Sequence, residues 1–166
     1  MTEVSLDLMT PADWPDVRAI YEEGIATRNA TFEAEAPSWE HFDAAHLPAG
    51  RLVARAANIV VGWGALSPVS RRRCYAGVAE VSVYVRASAR GQGTGRMLLE
   101  HLVAASEAAG IWTLQGATFP ENVASLRLQA SCGFRVVGRR ERVAQMDGVW
   151  RDTVLTERRS QTVGAA

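Results

Sequence analysis

Lysine is absent from this chain: all 18 basic residues are arginine. A bias in source composition accounts for that as readily as function does. The absence removes one phosphate site, because a P-loop needs a lysine followed by Ser or Thr after its glycines. Cysteine is scarce. Cys74 and Cys132 are the only two and lie far apart, so no disulfide framework is indicated. His41, His46 and His101 have no ligand-like spacing, so no metal site is expected. No apolar run is long enough to span a bilayer. The opening Met1-Thr2-Glu3-Val4-Ser5 lacks the basic and apolar segments of a secretory signal. The expectation is a cytoplasmic protein with no membrane partner. The 18 acidic residues cancel the 18 basic ones, which leaves no global pull toward nucleic acid.

What is present reads as one globular domain. The chain has 166 residues, 48% hydrophobic and 22% charged, enough for a full core. The domain is expected over 1–159, with 160–166 as a frayed tail. Val4 to Leu8 alternates as a half-buried strand. Thr10-Pro11-Ala12-Asp13 opens a helix carrying Val17, Ile20, Tyr21 and Ile25. A short helix follows the cap Ser38. Arg51–Ala56 and Ile59–Leu66 read as strands joined by a turn at Asn58. Val78–Val85 reads as the central strand. Gly93–Ala109 reads as a helix stopped by Gly110, and Ile111–Thr118 as a strand. Asn122–Ser131 reads as a helix stopped by Gly133. Phe134–Arg140 and Trp150–Glu157 read as the last strands. The order β-α-α-β-β-β-α-β-α-β-β predicts an α/β protein with a mixed sheet flanked by helices.

The chemistry concentrates at Ala79-Glu80-Val81-Ser82-Val83-Tyr84-Val85, which runs into Arg90-Gly91-Gln92-Gly93-Thr94-Gly95-Arg96. A glycine-rich turn between strand and helix aims backbone N–H groups at one spot. The positive end of the helix dipole falls on the same spot, which suits a phosphate. A dinucleotide fingerprint fails because Arg96 stands where its third glycine belongs. Glu80 lies just upstream, on one strand face with Ser82 and Tyr84, opposite Val81, Val83 and Val85. A carboxylate there is a candidate general base. The competing reading is a structural Glu80 paired with an arginine of the 71–73 loop.

The spacing Arg90-x-x-Gly93-x-Gly95, followed by Asn122-x-x-Ser125 and Gly133-Phe134, resembles the acetyl-CoA signature of the GNAT acetyltransferases. The resemblance implies the GNAT fold, a mostly antiparallel splayed sheet flanked by helices, with acetyl-CoA as co-substrate. It implies that Val83 and Val85 offer backbone hydrogen bonds to the pantetheine. It places the diphosphate on Arg90, Gly91, Gln92, Gly93, Thr94 and Gly95, and a further cofactor contact at Asn122 and Ser125. Asn29-Ala30-Thr31-Phe32-Glu33, Ser67-Pro68, Tyr75 and Asp147-Gly148-Val149-Trp150-Arg151-Asp152 look like phosphinothricin-type N-acetyltransferases. Tyr75 to Glu80 and Arg139 to Arg142 most resemble the arsinothricin-resistance branch.

That resemblance implies direct acetyl transfer to the α-amino group of a small glutamate-like amino acid, with Glu80 as base, giving resistance. The implied substrates are of the phosphinothricin, arsinothricin or methionine sulfoximine type. It implies substrate contacts at Phe32, Arg72 and Tyr75, and a homodimer. Two positions depart from the family. Gln129 replaces a tyrosine able to protonate the leaving thiolate, and Asp147 replaces a histidine of some relatives. The alternatives are acetylation of a protein N-terminus or lysine, and a catalytically silent acyl-CoA-binding module.

Overall fold

The structure, a computed structural model, describes residues 2–166. The elements in chain order are β1 (Val4–Leu8), α1 (Trp14–Ala26), α2 (Trp39–Ala45), β2 (Leu52–Ala56), β3 (Ile59–Pro68) and β4 (Val78–Val85). They continue with α3 (Thr94–Ala108), β5 (Thr113–Thr118), α4 (Val123–Ser131), β6 (Arg135–Met146) and β7 (Val149–Arg159). The strands form one seven-stranded sheet in the order β1-β2-β3-β4-β5-β7-β6. Every pairing is antiparallel except that of β4 with β5. This is the mixed sheet expected from the element order, and it is mostly antiparallel as the family resemblance implies. No helix among the described residues is long and apolar enough to cross a membrane.

Local chemistry sets the element ends. Thr10 and Asp13 form a reciprocal capping box ahead of α1, and Asp13 also binds Arg55 at 2.7 Å. The Ser38 hydroxyl accepts the His41 N–H and starts α2. Ala57 and Asn58 both hold positive φ, 48° and 68°, which gives the β2–β3 hairpin a turn that matches strand twist.

Two apolar clusters sandwich the sheet. Val17, Ile20 and Phe42, from α1 and α2, cover one face around the fully buried Trp63. Leu98, Leu99 and Leu102 of α3 cover the other, packed by Val81, Val83 and Val85 of β4 and by Leu128 of α4. Tyr84 joins the Trp63 side, stacked on it at 4.7 Å. The alternation along β4 therefore divides its side chains between the faces as its sequence predicts.

Two expectations change. β6 runs to Met146 rather than ending at Arg140, and it makes a long arm with β7. The added stretch is polar and slips register between Arg140 and Ala144, so it carries no clean alternation. The Asp152 carboxylate holds the slip by accepting the Arg142 N–H and pairing with Arg139. Residues 160–164 also form a turn rather than a frayed tail. Ser160 is buried, donates to Glu107 at 2.9 Å and accepts the N–H groups of Thr162 and Val163.

Candidate active site

The sheet opens beside Glu80. β4 and β5 pair only across Val78–Glu80 and Thr113–Gln115. Beyond that point β4 continues against β3 alone, and β5 against β7 alone. The result is a V-shaped gap between two parallel strands. Backbone phase decides what faces it. The Arg86 N–H donates to Val61 O at 2.7 Å, so Tyr84 and Ser82 share its phase and turn their peptide groups to β3. Val83 and Val85 have the opposite phase, and their peptide groups face the gap. Arg90 Nε already donates to Val85 O at 3.1 Å, which leaves the Val85 N–H and both groups of Val83 for a ligand.

The glycine turn closes one end of the gap. Gly91 and Gly93 have φ of 73° and 86°, where an L side chain is strained. A Cβ on either would meet nothing within 4 Å, so backbone conformation is the reason for glycine there. Gly93 is the N-cap of α3 and has no side chain to cap it. The first helix-phase bond runs from the Met97 N–H to Gly93 O, so the N–H groups of Thr94, Gly95 and Arg96 remain without helix partners. These donors, with the dipole behind them, make an anion cradle. Arg90, Gly91, Gly93 and Gly95 line the cleft. The side chains of Gln92 and Thr94 do not. Gln92 reaches Ser88 O, and Thr94 is buried at 2% exposure. Those two residues offer only their backbone.

The cleft extends from this cradle through the gap to the α1–α2 loop and encloses about 1200 Å³. Glu80 lies half-buried at the narrow end of the V. Its Oε2 accepts the Gln115 Nε2–H at 2.9 Å, so its partner is a neutral amide and not an arginine of the 71–73 loop. Ser82 and Tyr84 follow it along the wall. Burial foremost, and the neighbouring Tyr21 next, raise the Tyr84 phenol above its ordinary pKa, so it stays protonated.

Phe32 lines the far wall and meets Phe119 edge-on at 4.8 Å. Arg151 covers Phe119 at 4.0 Å and donates to Arg28 O. Asn122 caps α4 by accepting the Ser125 N–H and donates its amide to Asn29 O at 3.1 Å. Arg151 and Asn122 thus pin two successive carbonyls of the loop that carries Phe32. Asn122 and Ser125 both border the cleft.

Arg72 and Tyr75 are not brought to this cleft. They lie on an exposed turn after β3, with Arg72 over the Tyr75 ring at 5.5 Å. Phe119, Gln115 and the contact role of Arg151 escape a linear reading, because each acts through a partner distant in sequence.

The arrangement suits an acyl-coenzyme A: a cradle for a diphosphate, an unpaired strand edge for a peptide-like arm, and a carboxylate where a nucleophile would meet it. Comparison with known proteins agrees. Residues 14–134 match the Acetyltransferase (GNAT) family. A phosphinothricin N-acetyltransferase of Alcaligenes faecalis is 36% identical over 155 residues, covering 88% of this chain and 77% of the relative. A methionine sulfoximine/methionine sulfone acetyltransferase of Pseudomonas paraeruginosa is 33% identical over 154 residues, covering 88% of each. The fold superposes on a phosphinothricin acetyltransferase of Sinorhizobium meliloti, solved with AcCoA, at a TM-score of 0.89. The two are 26% identical, and the match covers 100% of this chain and 92% of that one. The chain belongs to the GNAT acetyltransferase family and is an acetyl-CoA-dependent N-acetyltransferase.

Proposed function

We propose that the protein acetylates the α-amino group of a small glutamate-like amino acid with an oxyacid side chain, of the phosphinothricin, arsinothricin or methionine sulfoximine type, and so confers resistance. The observation that carries this reading is the place of Glu80, where β4 and β5 part. The α-ammonium of a free amino acid is mostly protonated at neutral pH and must lose a proton before it attacks. Glu80 takes that proton, directly or through one water, while Gln115 fixes the carboxylate. The Val83 N–H faces the gap and stabilises the tetrahedral oxyanion. The cradle from Arg90 to Gly95 holds the diphosphate. Phe32 and Phe119 wall the amine side.

Arg72 and Tyr75 lie outside the cleft of a single protomer, and we assign their substrate role to a homodimer. The β6–β7 arm supports that assembly, since Val136, Val149 and Trp150 are each more than half exposed. Sedimentation should show a dimer that Trp150→Asp weakens. A monomer at every concentration would remove the dimer and, with it, a role for Arg72.

Thiol release from acetyl-CoA with a panel of these amino acids tests the function. Turnover with one oxyacid amino acid is expected, and Glu80→Gln should lower kcat by about 10²–10⁴. Turnover unchanged in the variant would remove Glu80 as the base. Acetyl-CoA binding with no turnover would instead favour a protein acceptor or a silent acyl-CoA module.

A further inference from the structure

Gln129 is 6% exposed and sits at the centre of a polar cluster on the cleft wall. Its Nε2 donates to Thr118 Oγ1 at 2.8 Å and to Ser125 Oγ at 3.1 Å. Its Oε1 accepts from Thr156 Oγ1 at 2.5 Å. These lengths assign the amide. A contact of 2.5 Å lies in the range of O–H···O and below that of N–H···O, whereas 2.8 and 3.1 Å suit N–H donors. The cluster also explains Gly116 in the middle of β5. A Cβ there would lie 2.7 Å from both Gln129 Oε1 and Thr156 Oγ1.

The consequence concerns two hydroxyls. An amide NH₂ has two hydrogens, and both are spent on oxygen lone pairs. Ser125 and Thr118 therefore accept from Gln129 and keep their own protons to donate. Neither donates to a protein acceptor among the described residues. Both border the cleft, across the gap from the Val83 peptide.

We propose that Ser125 and Thr118, oriented by Gln129, donate hydrogen bonds to the departing coenzyme A sulfur. This rests on the acetyl-transfer reading above. In the step, the amine nitrogen forms its bond to the thioester carbon. Collapse of the tetrahedral adduct breaks the carbon–sulfur bond and leaves the electron pair on sulfur. The serine and threonine protons stay on oxygen, because an aliphatic hydroxyl is a far weaker acid than a thiol. The sulfur leaves as a hydrogen-bonded thiolate and takes its proton later from solvent. One ammonium proton has gone to Glu80, and the second nitrogen proton lost goes to solvent. Ser125 and Thr118 are the catalytic residues of this step, and Gln129 is a positioning residue. No tyrosine-like acid is required.

The test uses free coenzyme A bound to the protein, with thiolate ultraviolet absorbance followed against pH. In the wild type the bound thiol should titrate below the value of free coenzyme A measured in the same buffer. Ser125→Ala/Thr118→Val should raise that midpoint by about one unit or more, as expected for loss of hydrogen bonds to a charged group. Gln129→Met, which keeps both hydroxyls but frees them to turn, should raise it by a smaller amount. A double variant that binds coenzyme A and titrates as the wild type does would overturn the proposal, as would an unshifted thiol in the wild type. A wild type that does not bind coenzyme A would overturn the acetyl-CoA reading as well, so the two failures are distinguishable.

Discussion

The cradle glycines give opposed predictions from neighbouring positions of one turn. Gly93 has φ of 86°, and a Cβ there has open space. Gly93→Ala therefore carries backbone strain alone, about 1–2 kcal/mol. For a chain of this size each kcal/mol moves Tm by about 2–4 °C, so Tm should fall by roughly 2–8 °C. Gly95 lies within α3 at ordinary helical φ, where alanine gains about 1 kcal/mol of helix propensity. Its Cβ would meet Leu128 Cδ2 at 3.2 Å and Val85 Cγ2 at 3.6 Å. Leu128 is a flexible side chain on the cleft wall and can yield into the cleft. Gly95→Ala should therefore hold or raise Tm without ligand, yet weaken coenzyme A binding about tenfold through overpacking of about 1–3 kcal/mol. Scanning calorimetry of the free proteins and titration calorimetry with coenzyme A separate these effects. If both variants lost stability equally, or if Gly95→Ala bound coenzyme A as wild type does, the reading of this turn would be wrong.

Two further outcomes follow from single contacts. Burial foremost, and Arg51 as a smaller cause, lower the His46 pKa against the opposing hydrogen bond to Phe42 O. Its folded value lies below the unfolded ~6.5, so its contribution is present above that pH and is lost as pH falls through the folded value. Thermal melts should thus show a drop from pH 7 to 5 that is smaller in His46→Gln. An equal drop in both proteins would remove His46 as its source. Arg151→Met removes the cation over Phe119 and the bond to Arg28 O. It should raise KM for the amine severalfold, on the scale of about 1 kcal/mol, and leave KM for acetyl-CoA unchanged. A rise in both would indicate general loosening.

What the sequence reveals here depends on how far apart the cooperating residues lie along the chain. The cradle is legible because its strand, glycines and helix start are contiguous. Their φ demands and orphan N–H groups follow from local geometry. Glu80 is legible on its own strand face, since alternation separates it from Val81 and Val83 without knowledge of the neighbours. Its partner Gln115 is not. That contact exists because β4 and β5 pair in parallel for three residues, which sets Glu80 opposite Gln115. Arg72 and Tyr75 show the same limit from the other side. Their side-chain chemistry suits an acidic substrate, but the connection from β3 to β4 decides where they stand, and it sets them outside the cleft. Gln129 combines both cases. The lack of a phenol is visible in the sequence, whereas its replacement needs Thr118 from β5, Ser125 from α4 and Thr156 from β7 to converge on one amide. Ser125 is marked only by its spacing from Asn122, and Thr118 and Thr156 not at all, because serine and threonine are common on helices and strands. The Ser125 and Thr118 protons become available only because a buried amide with two donors and one acceptor dictates which way each hydrogen bond runs.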